Sequence, residues 1–429
     1  MSDDRTTTRR GLLAAGGLCL TAGCVNSLPL GAGDAQLSAH DLPELDPDEE
    51  RHPPVRVAVP VDVAPEYVAA HRDRVRGLLA TLPTPLGPDE IPNGVVRERL
   101  LDAAARATDH LNQARRAETD LLALSRLGRA REEARYAAAG WRFVEDEVAV
   151  PDLYSELQTV TTRATDVLAS HEYVGDDPVR AAVVHAQIER TLDAATRDDP
   201  LGNAEDSVLE AAEVAGAAER TTAHLADGRH LAAQFAASLP DDTGSIEDRL
   251  VDAGETLAER VRSKAAEIPP EPSEEADWGP GEHALDDLRL ELNPDGRPTD
   301  DWRRPGERIA EAHRWLVTFR AIRWINQRRT AGELDTVTSA ADVRAVRRAA
   351  YDAVETAAAE TPALSLSRNP LRDAGYHLLA GDRAVARAPG SGRIDADRLN
   401  DAVTEYVIAT PLARSIPGTC REVIRALRE

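Results

Sequence analysis

Apolar residues recur at three- and four-residue steps through most of this chain, and this spacing constrains its fold more than any other feature. The clearest stripe consists of Ile246, Leu250, Ala253, Leu257, Val261, Ala265 and Ile268. A period near 3.6 residues places such side chains on one face of an α-helix, whereas a half-buried strand needs strict alternation. Alanine fills much of each stripe, which lets helices pack closely side by side. The spacing therefore predicts an all-α fold of antiparallel helical bundles, with long Ala-rich helices and at most a short N-terminal strand.

Polar capping residues indicate where the longest helices begin. Asn93 predicts the start of a helix that continues to about Gly140, with a kink or break at Gly128. Asn203, followed by Asp206, predicts the start of another long helix.

The helix with the clearest stripe is expected to begin near Ser245, with Asp248 in the position of a capping box. Residues 55–63 alternate like a strand, and Pro60 would confine that strand to the edge of a sheet. Shorter helices are expected over residues 65–82, 152–171, 178–197, 340–360, 370–387 and 395–409.

The N-terminal segment, residues 1–23, has the regions of a secretory signal: Arg9 and Arg10, a short apolar run, and small residues before Cys24. The apolar run is too short to cross a hydrocarbon core, which needs about 20 apolar residues. The segment resembles a twin-arginine signal of the lipoprotein class. That resemblance implies export in a folded state, cleavage before Cys24, lipidation of its thiol and anchoring at the outer face of the cell membrane. Thr21 stands where such signals usually carry Leu, and a plain signal without a lipid is the alternative.

Composition divides the rest of the chain into four parts. Residues 24–54 are acidic and rich in Pro and Gly, which predicts a tether that does not bury enough apolar surface to order itself. A helical bundle domain is predicted over 55–268. Residues 269–281 are again rich in Pro and acidic residues, which predicts a linker before a second helical unit over 282–429.

The chain is strongly acidic: 75 Asp and Glu against 51 Lys and Arg give a formal net charge of −24, and Lys264 is the only lysine. With abundant alanine and few aromatic residues, this balance resembles that of proteins from extreme halophiles such as the haloarchaea. Like charges at this density oppose the compact state, and ~1 M salt removes most of that penalty because it shortens the Debye length to about 3 Å. We therefore interpret the acidity as an adaptation to salt, with solvent cations as counterions, and expect no nucleic-acid partner.

Most catalytic signatures are absent: the sequence has no Gly-x-Ser-x-Gly elbow, Walker loop, Rossmann glycine fingerprint or His-Glu-x-x-His pair. The run from Gly281 to Asp286 resembles the Gly-x-His-x-x-Glu motif of the imelysin-like family. Members of that family are helical, often lipid-anchored extracytoplasmic proteins linked to iron uptake. The resemblance implies His283 and Asp286 as metal candidates, although Asp286 replaces the family's Glu. The alternative is a solvent-facing histidine at a helix start, and we expect no cofactor.

Three further patterns have a functional and a simpler interpretation. His224 and His230 are either metal ligands or surface histidines. Residues 293–301 offer oxygen ligands for Ca²⁺ or form solvated turns, and they lack the alternating Asp and terminal Glu of a calcium loop. Residues 389–393 are either an anion cradle with Arg393 or a flexible connector.

Charge reverses over residues 303–329, which hold eight arginines and two glutamates together with several aromatic side chains. One interpretation is a central helix neutralised by acidic residues of its neighbours, with Arg323 in a partly buried ion pair. The other is a face formed by Arg314, Trp324 and Arg328 that docks an anionic partner, such as lipid headgroups or an acidic protein.

Three classes of function are compatible with these features. The lack of a recognisable site favours a membrane-anchored extracytoplasmic lipoprotein that binds an envelope protein partner or acts as a structural module of the cell envelope. The alternative is a solute- or metal-binding lipoprotein that serves a transporter, although most such receptors are α/β proteins with buried parallel strands. An exported enzyme is the third class, and it would need a site assembled from distant residues.

Anchoring can be tested by substitution in the signal. If Cys24 carries the lipid, Cys24→Ala should leave uncleaved precursor or release soluble protein. Replacement of Arg9 and Arg10 by lysine should hold the precursor inside the cell, because the resemblance implies a pathway that requires the arginine pair. Immunoblots of the cytosol, the membrane and the medium measure both effects. Wild-type protein recovered from the medium, with an unmodified N-terminus beyond Cys24, would contradict the prediction.

Overall fold

Helices form in most of the places where the apolar stripes predict them, so the all-α prediction is confirmed. The computed structural model describes residues 36–38, 41–43, 45, 56, 58–83, 85–197, 206–270, 278–292, 304–334, 339–388, 392–395 and 399–429. The signal segment and most of the predicted tether lie outside the described residues.

The described residues form twelve helices and two short strands. The helices are α1 (Pro65–Leu79), α2 (Gly94–Arg115), α3 (Asp120–Val144), α4 (Val150–Ala169), α5 (Pro178–Ala194), α6 (Val208–Ala237), α7 (Glu247–Ala265), α8 (Pro280–Glu291), α9 (Pro305–Thr330), α10 (Ala340–Glu360), α11 (Leu364–Ala386) and α12 (Asn400–Arg428). The strands β1 (Gln36–Ser38) and β2 (Arg393–Asp395) pair antiparallel, with Leu37 opposite Ile394. None of the described helices combines the length and the apolar character that a membrane span requires.

The first long helix begins as predicted but is shorter. The Asn93 side chain accepts hydrogen bonds from the backbone N–H groups of Val95 and Val96 at the start of α2. The predicted continuation to Gly140 is wrong, because the chain leaves the helix at Arg116 and Thr119 caps a separate helix, α3. The predicted break at Gly128 is also wrong. A single helical glycine costs only about 1 kcal/mol, and α3 packs against α1, α2 and α6.

Two other helix starts lie close to their predicted positions. Ser207 caps α6 by accepting from the backbone N–H of Glu210, whereas the predicted cap, Asn203, lies outside the described residues. Ser245 accepts from the backbone N–H of Glu247 at the start of α7. The apolar stripe of α7 is buried from Leu250 to Val261, as its period predicts.

Prolines mark the places where the predicted bounds fail most. α12 was expected to end near residue 409, but it continues through Pro411 and Pro417 to Arg428. α11 likewise begins before Pro370, at Leu364. A proline in a helix interior costs about 3 kcal/mol. In α12 this cost is outweighed by an apolar face that is buried almost to the C-terminus against α9, α10 and α11.

No strand is formed by the described residues of 55–63, so the predicted edge strand is wrong. The chain bends at Pro60 and Val61, and the Arg180 guanidinium donates to the Pro60 carbonyl oxygen at 3.4 Å. Proline has no backbone N–H to donate to a neighbouring strand, so alternation alone does not make this segment part of a sheet.

Helix α9 is central to the C-terminal half of the fold. It packs against α5, α7, α8, α11 and α12, and twelve of its 26 residues, on several sides of the helix, are buried. The N-terminal half is built around α3 and α6, which pack against each other, and α5 contacts both α6 and α9. One continuous apolar cluster extends from α1 to α12 through these contacts.

A buried carboxylate connects α5 to the start of α9. Glu189 accepts hydrogen bonds from the backbone N–H groups of Gly306 and Glu307 and from the Tyr173 hydroxyl. These N–H groups have no partner within their own helix, and the N-terminus of a helix favours negative charge. Burial raises the pKa of Glu189 to about 7, although the three hydrogen bonds lower it. The cap of α9 is therefore supplied by α5 and not by the N-cap residue Arg304.

This junction requires glycine at position 306. A Cβ atom there would lie 2.5 Å from the backbone nitrogen of Ala186 and 2.9 Å from Glu189 Oε2. We expect Gly306→Ala to lower the free energy of unfolding by about 1–3 kcal/mol, since the backbone of α5 must move. The measurement is denaturant unfolding in molar salt, followed by circular dichroism.

Gly128→Ala is the matched control. Gly128 is also buried in a helix, but a Cβ atom there would have no atom of another described segment within 4 Å. It should raise the free energy of unfolding by about 0.5–1 kcal/mol through backbone entropy. Equal effects at the two positions would contradict the close approach of α5 and α9.

Candidate binding site

A cleft of about 280 Å³ lies where the C-terminal end of α7 meets α9 and α12. We call it the α7/α9/α12 cleft. Its lining consists of Arg260, Ser263, Lys264, Glu267, Ile268, Pro269, Leu316, Phe319, Arg320, Ile322, Arg323, Asn326 and Glu422. The residues come from three helices that are distant in sequence, so helix packing alone brings them together.

The floor of the cleft is apolar. Leu316, Phe319 and Ile322 of α9 are buried, and they also belong to the main core. Ile268 and Pro269, just beyond the end of α7, are half-buried beside them. Because the floor is part of the core, its shape is fixed by the packing of α9 and not by flexible side chains.

One wall is held by a shared ion pair. Arg320 donates to Glu422 at 2.6 Å and to the Thr419 hydroxyl at 3.0 Å, and Arg260 donates to the other oxygen of Glu422 at 3.4 Å. Two guanidinium groups therefore share one carboxylate, which fixes their positions and leaves a positive charge in excess on this wall.

The other two cations lie at the exposed rim. Lys264 donates to Glu267 at 2.7 Å, and both side chains are about half exposed. Arg323 is exposed and forms no ion pair with any described residue. The cleft thus carries four basic and two acidic side chains, an excess of two positive charges in a chain whose formal charge is −24.

Such a lining recognises an anion next to an apolar group. Arginine presents a fork of donors that matches a carboxylate or a phosphate, and lysine supplies a compact positive charge. The buried side chains of the floor offer apolar surface to whatever the cations hold. This combination of cations and apolar surface makes the cleft a candidate binding site.

The predicted docking face on α9 is dispersed. Arg314 pairs with Glu311 at 3.0 Å, and Arg328 pairs with Glu333 at 2.8 Å. These two arginines lie roughly 21 Å apart along the helix axis, at about 1.5 Å per residue. Trp324 is half-buried next to Arg328, whose guanidinium lies 4.4 Å from the centre of the indole ring.

The predicted buried ion pair of Arg323 is wrong. Its side chain is exposed at the cleft, whereas Ile325, two residues further along the helix, is fully buried. The reason is that several helices surround α9, so its buried surface is wider than one arc.

The imelysin-like positions lie on the first turns of α8. His283 and Asp286 are both half-buried, and the His283 ring meets Trp278 edge-on, with the ring centres 5.4 Å apart. Across the described part of the chain, no group of three or more His, Cys, Asp or Glu side chains is arranged to hold a metal ion. Residues 293–300 and 389–391, which were candidates for cation and anion loops, lie outside the described residues.

A buried polar network joins α1, α3 and α6. Glu219 accepts from Arg131 at 2.7–2.8 Å and from Arg74 at 2.7 and 3.1 Å. Burial raises the pKa of Glu219, but the two arginines outweigh it, so the pKa is lowered overall. Each charge is compensated inside the network, as buried ion pairs require.

The network continues to His230, one of the two histidines considered as metal ligands. Asp227 accepts from the Tyr67 hydroxyl at 2.8 Å and lies 3.4 Å from His71 Nε2. Burial raises the pKa of Asp227 to about 7 and, with the charge of Arg131, lowers that of His71 to about 3. The His230 ring stacks on Tyr67 at 3.9 Å and accepts from the backbone N–H of Ala64. His230 is therefore occupied by structural contacts.

Comparison with known proteins gives two family matches. Residues 66–242 match the model described as Domain of unknown function (DUF8262), and residues 247–425 match that described as Domain of unknown function (DUF8264). No curated protein and no solved structure matches the chain.

The two matches meet just before α7, whereas the sequence predicted a boundary at 269–281. In the structure α7 packs against α9 and α12, within one compact unit that spans residues 36–429. Every residue that lines the α7/α9/α12 cleft lies in the second matched segment.

A second ionic cluster is the strongest candidate for pH dependence. His377 of α11 lies 2.7 Å from Glu405 of α12 and 3.4 Å from Glu291 of α8. Burial disfavours its charged form, but the two glutamates outweigh that effect and raise its pKa to about 9. Asp287 and Asp373 add further negative charge from α8 and α11.

We expect the stabilisation by His377 to disappear at alkaline pH. Its folded-state pKa lies above the ordinary value, so protonated His377 stabilises the fold fully below about pH 6.5, and this contribution is lost as the pH rises through about 9. His377→Gln should lower the free energy of unfolding at about pH 6, by roughly 3 kcal/mol at most, and much less at about pH 10. Denaturant unfolding at both values measures this, with His283→Gln on α8 as the control. A loss that does not depend on pH would contradict the prediction.

Proposed function

We propose that this protein is an exported lipoprotein, anchored by Cys24 to the outer face of the cell membrane, whose helical body binds a small ligand in the α7/α9/α12 cleft. The twin-arginine lipoprotein signal and the acidic tether support the location, and the composition supports a halophilic, archaeal source. The observation that carries the binding function is the excess of cations over an apolar floor. This proposal favours the solute-binding class over a purely structural module.

The excess positive charge of the cleft matters because the rest of the molecule is strongly negative. A net charge of −24 repels anions at long range, but molar salt limits that field to a few ångströms. At the rim an anion therefore interacts mainly with the nearby charges, which are those of Lys264, Arg323 and Glu267. Arg323, which has no ion-pair partner among the described residues, lines the same cleft as the only lysine, and this is a local departure from the chain's acidic composition.

A second candidate function is docking of an acidic surface at Trp324. Two guanidinium groups lie near this half-buried indole, those of Arg328 at 4.4 Å and Arg414 at 5.8 Å from the ring centre. Tryptophan and arginine are the residues that most often dominate protein interfaces.

The ligand-binding proposal can be tested on the mature chain, residues 24–429, with Cys24→Ser so that no detergent is needed. The protein is purified from its own host and then denatured, and the small molecules that this releases are quantified by mass spectrometry. We expect one compound near one equivalent per chain, and clearly less in Lys264→Gln combined with Arg323→Gln. The matched control, Arg344→Gln combined with Arg348→Gln, removes two exposed cations of α10 that do not line the cleft.

Two other results separate the candidate functions. No enriched compound, or equal amounts in both double variants, would contradict a ligand site in the cleft. Binding to anionic vesicles that is lost in Arg328→Glu combined with Arg414→Glu, with unchanged melting, would support docking at Trp324 instead.

A further inference from the structure

We propose that the ligand of the α7/α9/α12 cleft is an amphiphilic anion: a single apolar chain that ends in one carboxylate or phosphate group. This inference rests on the proposed function and specifies the chemistry of its ligand. It is argued from the position of the charges, from the composition of the floor and from the size of the cleft.

The anionic group belongs at the rim. Arg260 and Arg320 are already engaged by Glu422, so they form a fixed wall. Arg323 has no ion-pair partner among the described residues, and Lys264 has only the exposed Glu267. The two rim cations are therefore the groups that gain most from a carboxylate or phosphate, through charge-assisted hydrogen bonds.

The apolar chain belongs on the floor. Leu316, Phe319 and Ile322 present aliphatic and aromatic surface, and Ile268 with Pro269 extends it towards the end of α7. An inorganic anion would leave this surface exposed to water, and a neutral hydrocarbon would leave the rim cations without a counter-charge. A ligand with both parts satisfies both regions.

The volume limits the ligand to one chain. About 280 Å³ lies at the lower end of the range of small-molecule sites, roughly 300–1,000 Å³. A diacyl membrane lipid does not fit such a space with both of its chains. We therefore infer a free single-chain amphiphile of medium length, and not a lipid held in the bilayer.

Calorimetric titration of the Cys24→Ser chain in molar salt tests this inference. The probes are acetate, hexanoate, octanoate, decanoate, decanol, decylammonium and inorganic phosphate. We expect decanoate to bind with one-to-one stoichiometry and the affinity to fall by about fourfold for each methylene group removed from the chain, as expected for burial of apolar surface. Acetate, phosphate and decylammonium should bind far more weakly.

Substitution at the rim tests where the anionic group lies. Lys264→Gln combined with Arg323→Gln should lower the affinity for decanoate by about tenfold and leave the affinity for decanol unchanged. Arg344→Gln combined with Arg348→Gln carries the same change in net charge on α10 and should leave decanoate unaffected, which separates a local contact from a general electrostatic effect.

Several outcomes would overturn the inference. If the affinity for the carboxylates did not depend on their chain length, the cleft would bind only the anionic group. If decylammonium bound as tightly as decanoate, the charge of the ligand would have no role. Displacement of decanoate by anionic diacyl vesicles would assign the cleft to membrane headgroups. A neutral compound released from the native protein, together with no binding of decanoate, would refute the amphiphilic anion but leave the proposed binding function intact.

Discussion

The fold depends on a carboxylate that is buried beneath the first turn of α9. Glu189 satisfies two N–H groups that have no partner inside that helix, and Gly306 allows the two backbones to approach. This contact fixes α9 against α5, and α7, α8, α11 and α12 then pack around α9. The floor of the cleft is one side of the same helix, so the geometry of the candidate site follows from this junction.

Arginine has two roles in this acidic protein. Most arginines in α9 or at its N-cap are neutralised by neighbouring carboxylates, as in the pairs of Arg304 with Asp193, Arg320 with Glu422, and Arg329 with Glu282. The concentration of positive charge on α9 is thus mainly a means of holding acidic helices together. Arg323 departs from this pattern, because its charge faces the cleft and not a partner helix. An arginine next to a carboxylate of another helix holds the two helices together, whereas an arginine without such a neighbour is available to a ligand.

The sequence predicted helices well where one apolar stripe formed the whole buried face, as in α7. It failed where tertiary contacts overrode a local signal, as at Gly128, or at Pro411 and Pro417 in α12. The cleft was missed because its parts are more than forty residues apart along the chain and become neighbours only through helix packing. Two signals did exist: the basic stretch that contains Arg320 and Arg323, and the single lysine.

That lysine gives the cleft a chemical property that no other part of the chain shares. Nζ of Lys264 is the only side-chain amine in the sequence, and it lies at the mouth of the cleft. Amine-directed acylation would therefore place a fluorophore or a cross-linker at this one position, apart from the terminal amine, with no substitution in the protein. The near-complete preference for arginine over lysine thus makes the cleft a uniquely addressable position for optical and proximity measurements on the purified protein.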